Sequence, residues 1–242
     1  MISQILKFIN WKYVWFFLSI TGLGITGMIL YIDPKLPNET EVQEIQLQVP
    51  LKIFTEDLKL IGEFGEKRRS ALNFEDIPSM LVSSFIAAED ANFFSHRGVD
   101  YLGLGRAFYQ LLSSRRIVGG GSTITMQVAG NYLTGRDVNL YRKIKDIFMA
   151  YKLESTYTKQ EIFEFYVNRI FLGNRAYGIA AASEVYYGKS VQDLNLAQFA
   201  MIASLPKAPS RINPIANPVR SLSRRNYVLR RMLELDFILK EQ

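Results

Sequence analysis

The chain has 242 residues, 48% of them hydrophobic, which excludes a disordered chain and allows one good-sized domain with appendages. It holds no cysteine, so disulfides and thiolate chemistry are excluded, and it has a single histidine. A net charge of +6 favours anionic partners such as lipid head groups, phosphates or nucleic acid, without choosing among them.

The N-terminus narrows that choice. Residues 13–32, YVWFFLSITGLGITGMILYI, carry no charge. At ~1.5 Å per residue a helix of this length spans the ~30 Å hydrocarbon core of a bilayer. Trp11, Tyr13 and Trp15 at one end and Tyr31 at the other suit the two interfaces. Lys7 and Lys12 precede the run and Asp33 follows it, so residues 1–12 are expected to form a cytoplasmic tail and 13–32 a retained single-pass anchor. The alternative is a cleaved signal peptide, but the run is long for one and no small-x-small site directly follows.

Residues 33–70 read as linker and hairpin. Pro34 and Pro37 disfavour continuing the helix, and the partly alternating stretches 45–55 and 59–67 flank Glu56-Asp57 as a β-hairpin would. From Ile77-Pro78 onward the signal is helical, so 71–242 is expected to be one mainly α domain. Pro78 suits a first turn, with Leu81, Phe85 and Ala88 on one face. Further helices are expected near 101–115, 122–133, 139–155, 158–171, 176–187, 195–205 and 217–239. The last carries Arg220, Arg224, Arg225, Arg230 and Arg231 and reads as a basic surface helix.

Four stretches carry the chemistry. In IAAEDANFFSHRG, residues 86–98, Glu89 shares a helix face with Phe85 near the helix end. A carboxylate at the lip of an apolar cluster is what a general acid or base site presents. Taken alone, this stretch reads first as an exposed acid pair closing a helix, with a structural His96. In GGGSTITMQVAGN, residues 119–131, glycines lead into Ser122 and Thr123 at a helix N-terminus whose N–H groups favour phosphate, without P-loop spacing. In YRKIKD, residues 141–146, Ile144, Ile147, Phe148 and Tyr151 form the expected buried stripe. Arg142, Lys145 and Asp146 then lie on a polar face, where Arg142 and Asp146 pair at i, i+4 and Lys143 is close by. That face is either a solvated ion-paired surface or a diphosphate clamp. The fourth stretch, 159–189 with 205–214, reads as core around Ile162, Phe165, Tyr166 and Ile170, a Gly173-Asn174 turn and a proline-rich wall.

Together these motifs resemble the peptidoglycan glycosyltransferases, glycosyltransferase family 51. Glu89, Asp90, Phe93, His96 and Gly98 fit the family's first motif. Residues 120–125 with Gln127 and Asn131 fit the second, and Arg142-Lys143, Tyr166-x-Asn168 and Tyr187-Gly188-Lys189 follow in family order. The stretch from residue 46 to 69 further resembles the region after the anchor in class A penicillin-binding proteins of the 1A type. Their transpeptidase domain is expected to be absent, leaving a monofunctional enzyme or the N-terminal part of a longer one.

The resemblance implies a lysozyme-like, two-lobed helical fold with a small lobe dipping into a bacterial inner membrane, and a catalytic domain on its outer face. It implies polymerisation of lipid II into glycan strands by a single inverting displacement that releases undecaprenyl diphosphate. Glu89 is then the general base, and Asp146 stands where the family usually ends its third motif in glutamate, the second catalytic carboxylate. Arg142 and Lys143 take the diphosphate, with Ser122, Thr123, Gln127 and Asn131 lining the donor side. Asp90, Phe93, His96 and Gly98 support. No cofactor and no protein metal site are required, although Mg²⁺ or Mn²⁺ assistance fits a diphosphate substrate. Implied partners are lipid II, the nascent strand, the bilayer and other cell-wall synthesis proteins, and no nucleic acid. The chain departs from the family at Gly130, where Lys or Arg is usual, at Asp146 and at Met126. Those departures leave open a lipid II-binding module with impaired catalysis, and a muramidase-type hydrolase is a more distant alternative.

Overall fold

A computed structural model describes residues 11–37, 51–57, 59–64, 72–114, 121–132 and 140–241. Residues 1–10 of the expected tail, the middle of the linker, the outer parts of the expected strands and the first two of the three glycines, Gly119 and Gly120, lie outside the described residues.

Helix α1, Trp11–Ile32, continues into a 3-10 turn over Asp33–Lys35 that Pro34 opens. Its large apolar side chains point away from protein, with Leu23 73% exposed. Only an apolar surrounding would relieve that, and the 25 residues Trp11–Lys35 are long and apolar enough to cross a membrane. Strands β1 (Leu51–Phe54) and β2 (Leu60–Phe64) pair antiparallel, Leu51 opposite Phe64, with a bulge after Ile53. Glu56 and Asp57 lie in the connecting turn as expected, and Thr55 closes it by accepting the Lys59 N–H at 2.9 Å on its hydroxyl.

The body is helical: α2 (Ser79–Glu89), α3 (Tyr101–Ser114), α4 (Ile124–Tyr132), α5 (Leu140–Thr156), α6 (Lys159–Arg169), α7 (Ile179–Tyr187), α8 (Leu196–Ser204) and α9 (Pro218–Glu234). A mainly α fold with one small hairpin and one apolar N-terminal helix is what the sequence predicts. Helix α2 lies at its centre, packed on α8 and α9, with Leu81 and Phe85 wholly buried. Phe85 meets Phe163 and Tyr166 of α6 edge to face, at centroid separations of 6.2 and 5.8 Å. Burying such a ring contributes ~2–3 kcal/mol, so this cluster fixes where α2 ends. Asn168 holds the approach to α2, exchanging hydrogen bonds of 2.9 Å with both backbone groups of Leu72.

Helix boundaries follow local chemistry. Thr158 with Glu161 and Asn195 with Gln198 form capping boxes that open α6 and α8. Pro78 precedes the first turn of α2 as its cap instead of lying inside it. Helix α9 stops at Glu234, short of the predicted 239, because Asp236 turns left-handed (φ 56°) and the Phe237 N–H closes back on Met232 O at 2.9 Å. The Gly173-Asn174 turn forms as predicted. Gly173 has φ 87°, and a Cβ there would lie 2.3 Å from Pro209 O, so only glycine fits.

The buried stripe of α5 differs from the prediction. Asp146, Met149, Ala150 and Leu153 are buried, while Ile144, Ile147 and Phe148 are half-buried and Tyr151 is exposed. Gly98 lets its backbone approach α5 closely at Ala150, and α4 covers the same side at Asp146, so this side of α5 is buried in place of the larger aliphatic side chains.

Candidate active site

Helix α2 ends because Asp90 leaves the helical region (φ −158°, ψ 78°) while its N–H still bonds Ile86 O at 3.0 Å. The break sends two adjacent carboxylates different ways. Asp90 is buried. Its Oδ2 accepts the Ile124 N–H at 3.0 Å at the start of α4, and both its oxygens lie 3.0 Å from His96 Nε2. A carboxylate only accepts, so Nε2 carries the proton. His96 Nδ1 is buried and has no hydrogen-bond partner among the described residues. Asp90 and His96 therefore tie the end of α2 to the start of α4.

Glu89 faces a cleft of about 430 Å³ that Asp90, Ser122 and Thr123 also line. Its Oε2 accepts a hydrogen bond from Gln127 Nε2 at 3.0 Å. Burial pushes its carboxyl above the ordinary glutamate value; Gln127, Arg224 and Lys207 pull the other way, and neighbouring Asp90 adds to the rise. A partly desolvated carboxylate with one donor and one open oxygen has the character of a general base.

The second motif is placed by its cap. Thr123 Oγ1 accepts the Met126 N–H at 3.2 Å and donates to Gly98 O at 2.5 Å. Gly98 has φ 87°, and a Cβ there would lie 3.0 Å from Ala150 O on α5, so this crossing also depends on glycine. Lys143 Nζ donates to the Ser122 hydroxyl, bringing a cation to the cleft edge. Burial lowers the Lys143 pKa, Asp146 opposes that, and Arg142 adds to it. Arg142 Nε lies 3.9 Å from Asp146 Oδ2, the predicted i, i+4 pair. Asp146 itself is only 2% exposed, not on a polar surface, and a Cβ at Gly130 would sit 3.5 Å from its Oδ1.

The predicted residues are thus brought together unevenly. Glu89, Ser122 and Thr123 line the cleft, and Gln127 and Lys143 reach it by hydrogen bonds to Glu89 and Ser122. Asp146 and Arg142 stand behind on α5. Asn131 is exposed near the end of α4 and is not among the cleft-lining residues. Phe93 is wholly buried in the core, and Phe94 beside it is 53% exposed. Among the described residues no group of three or more His, Asp or Glu side chains is placed to hold a metal ion.

Sequence reasoning missed one wall. Lys207, Arg224, Tyr227 and Arg231 line the same cleft, although the proline-rich loop and α9 read as inert. A signal was present: Arg224, Tyr227 and Arg231 fall at i, i+3 and i+7, alongside the buried Ser221, Val228 and Met232. Tyr166 reads as core and as part of the Tyr166-x-Asn168 motif, without a role in the site. Its hydroxyl is buried without a hydrogen-bond partner among the described residues, and burial with the charges of Glu89 and Asp90 raises its pKa well above the usual tyrosine range.

The transglycosylase family profile matches residues 57–233, the span that contains every one of these side chains. The chain belongs to the transglycosylase family. Two relatives are penicillin-binding protein 1A of Pseudomonas aeruginosa, 52% identical over 235 residues, and that of Escherichia coli K12, 44% identical over 238 residues. The alignments cover 97% and 96% of this chain and 28% of each relative, so the chain spans about 28% of their length. A crystal structure of penicillin-binding protein 1A from Haemophilus influenzae matches at 36% identity and TM-score 0.45, over 81% of this chain and 20% of that one. One transpeptidase-like spacing does occur in this transglycosylase, in Ser204-Leu205-Pro206-Lys207. Ser204 is fully buried and its hydroxyl donates to Met201 O at 2.7 Å, so it is no nucleophile.

Proposed function

We propose that this transglycosylase is a membrane-anchored polymerase of lipid II, joining disaccharide-pentapeptide units into peptidoglycan strands. The observation that carries this is Glu89: a desolvated carboxylate held by Gln127 in a cleft whose rim bears the Lys143–Ser122 pair. Glu89 takes the proton from the acceptor 4-hydroxyl, whose oxygen attacks the donor anomeric carbon. The bond to undecaprenyl diphosphate breaks, its electrons leave with the diphosphate, and the α linkage becomes β. Lys143, backed by Arg142 and Asp146, offsets the charge on the departing group. A single displacement needs one base and no covalent carboxylate. No cofactor enters this scheme, and Mg²⁺ or Mn²⁺ would act on the diphosphate that arrives with the substrate.

The bilayer holds α1, which supports a catalytic domain at the outer face of the inner membrane with the N-terminus inside, within reach of other cell-wall synthesis proteins. The test is labelled lipid II with the full chain in detergent. The expected products are glycan strands and free undecaprenyl diphosphate. Release of soluble fragments from finished cell wall, with no polymer from lipid II, would replace this reading with a hydrolase.

Gly130 supports a second reading, a lipid II-holding domain of low turnover. A Cβ at this position has ordinary contacts with the Asp146 carboxylate, at 3.5–3.6 Å. Gly130→Arg is therefore expected to stabilise the fold by ~1 kcal/mol through helix propensity, read as a higher melting temperature. Polymerisation by Gly130→Arg at several times the parent rate supports impaired catalysis in the parent. An unchanged rate removes that second reading.

A further inference from the structure

The cations of α9 have no task in the displacement just described. Arg231 is engaged elsewhere, its Nη1 donating to Glu234 at 2.6 Å. Arg224 makes no ion pair within 4.0 Å among the described residues. Its guanidinium carbon lies 4.3 Å from the centre of the Tyr227 ring, and its Nε is buried without a hydrogen-bond partner among the described residues. Buried donors are partnered in the great majority of cases, so an open one in a cleft wall calls for an explanation. A guanidinium held over an aromatic ring loses little further freedom on binding. That arrangement is a receptor for an oxygen anion.

Its position says which molecule brings the anion. Lys143 reaches the cleft from α5, which packs on α4, whereas Arg224 comes from α9, which packs on α2 and α8. The two cations therefore approach the end of α2 from separate parts of the fold. Arg224 and Lys207 are also the cations whose field reaches the Glu89 carboxylate. Arg224 lines the same cleft as Glu89, and in the scheme above Lys143 takes the donor's leaving group, which leaves the acceptor as the molecule for a second cation there. We propose that Arg224, stacked on Tyr227, binds an oxyanion of the acceptor substrate, a second anion site besides the one at Lys143. This rests on the polymerase reading for the word acceptor, but the site itself does not. Two sources share the chemistry: the acceptor's diphosphate and the carboxylates of its peptide.

The test uses the full chain carrying Glu89→Gln, which binds without turnover, and a short-chain lipid diphosphate disaccharide-pentapeptide titrated in detergent. Two equivalents are expected to bind. Adding Arg224→Gln weakens one of them by about tenfold or more, the worth of a charge-assisted hydrogen bond, and adding Lys143→Gln weakens the other. An analogue without the peptide and one with a neutral linker in place of the diphosphate separate the sources. The one that no longer responds to Arg224→Gln lacks the group that Arg224 holds. Arg224→Lys, which keeps the charge and loses the fork, is expected to fall in between, and serves should Arg224→Gln not fold. Unchanged affinity for both equivalents in Arg224→Gln overturns the inference. If the parent chain makes no glycan yet Arg224→Gln still weakens binding, the anion site stands and the polymerase reading falls. If the parent makes glycan and Arg224→Gln matches it in binding and KM, the inference falls alone.

Discussion

Glu89→Gln is expected to slow polymerisation of lipid II by ~10²–10⁴-fold, the range a positioned general base contributes, and at the same time to raise the melting temperature. Both effects follow from one placement. The amide fills the same space and its oxygen still accepts from Gln127, so substrate binding should persist while proton removal stops. The stability gain follows from the sign of the pKa shift. Burial, the largest influence, raises the folded-state pKa of Glu89 above its unfolded value. The folded chain therefore favours the neutral carboxyl. That contribution is fully present below the unfolded pKa and is lost as pH rises through the folded one. At neutral pH the parent carries a partly desolvated charge that Gln does not, so the gain should be present at pH 7 and vanish in acid. The same shift places the acid limb of kcat/KM above that of an exposed glutamate. Parental turnover in Glu89→Gln would sink the assignment of the base, and so would a melting temperature that falls at neutral pH while turnover is kept.

How much of this was legible in the sequence depends on whether local spacing or tertiary contact decides. The apolar run of α1, the Phe85–Glu89 face and the starts of the helices near 158 and 195 are set by neighbours within a few residues, and they can be read directly. Asp90 and His96 were legible as members of a motif, but their geometry was not, because the Asp90 carboxylate accepts from Ile124, a residue 34 positions away. Asp146 misled for a related reason. An aspartate between Lys145 and Ile147 reads as solvent-facing, yet α4 packs over it and Gly98 brings backbone against the same side of α5. The arginines of α9 were visible but looked like any solvated basic helix. Only the packing of α9 on α2 turns Arg224 and Tyr227 toward Glu89.

Asp90→Ala is expected to cost ~3 kcal/mol of folding stability, because two charge-assisted contacts are lost and their buried partners remain. Ile124 would keep an N–H with no acceptor in the first turn of α4. His96, only 8% exposed at its side chain, would then have both ring nitrogens unpaired, since Nδ1 already has no partner among the described residues. The carboxylate also sits at the positive end of α4, so its removal forfeits a favourable charge–dipole contact of ~0.3–1 kcal/mol. Asp90→Asn separates these contributions. Its amide oxygen can still accept one of the two donors, but its NH₂ faces the other, so a cost of ~1–2 kcal/mol is expected. Chemical denaturation of the two variants measures both. The functional loss should track the structural one: Asp90 sets where α4 begins, and α4 carries Thr123 at its cap and Gln127 one turn on, the donor that touches Glu89. Asp90→Ala should therefore polymerise poorly even under conditions where it is fully folded, with Asp90→Asn less impaired. An Asp90→Ala variant that unfolds at the parent's denaturant midpoint would show that the α2 end and α4 are held together by packing alone.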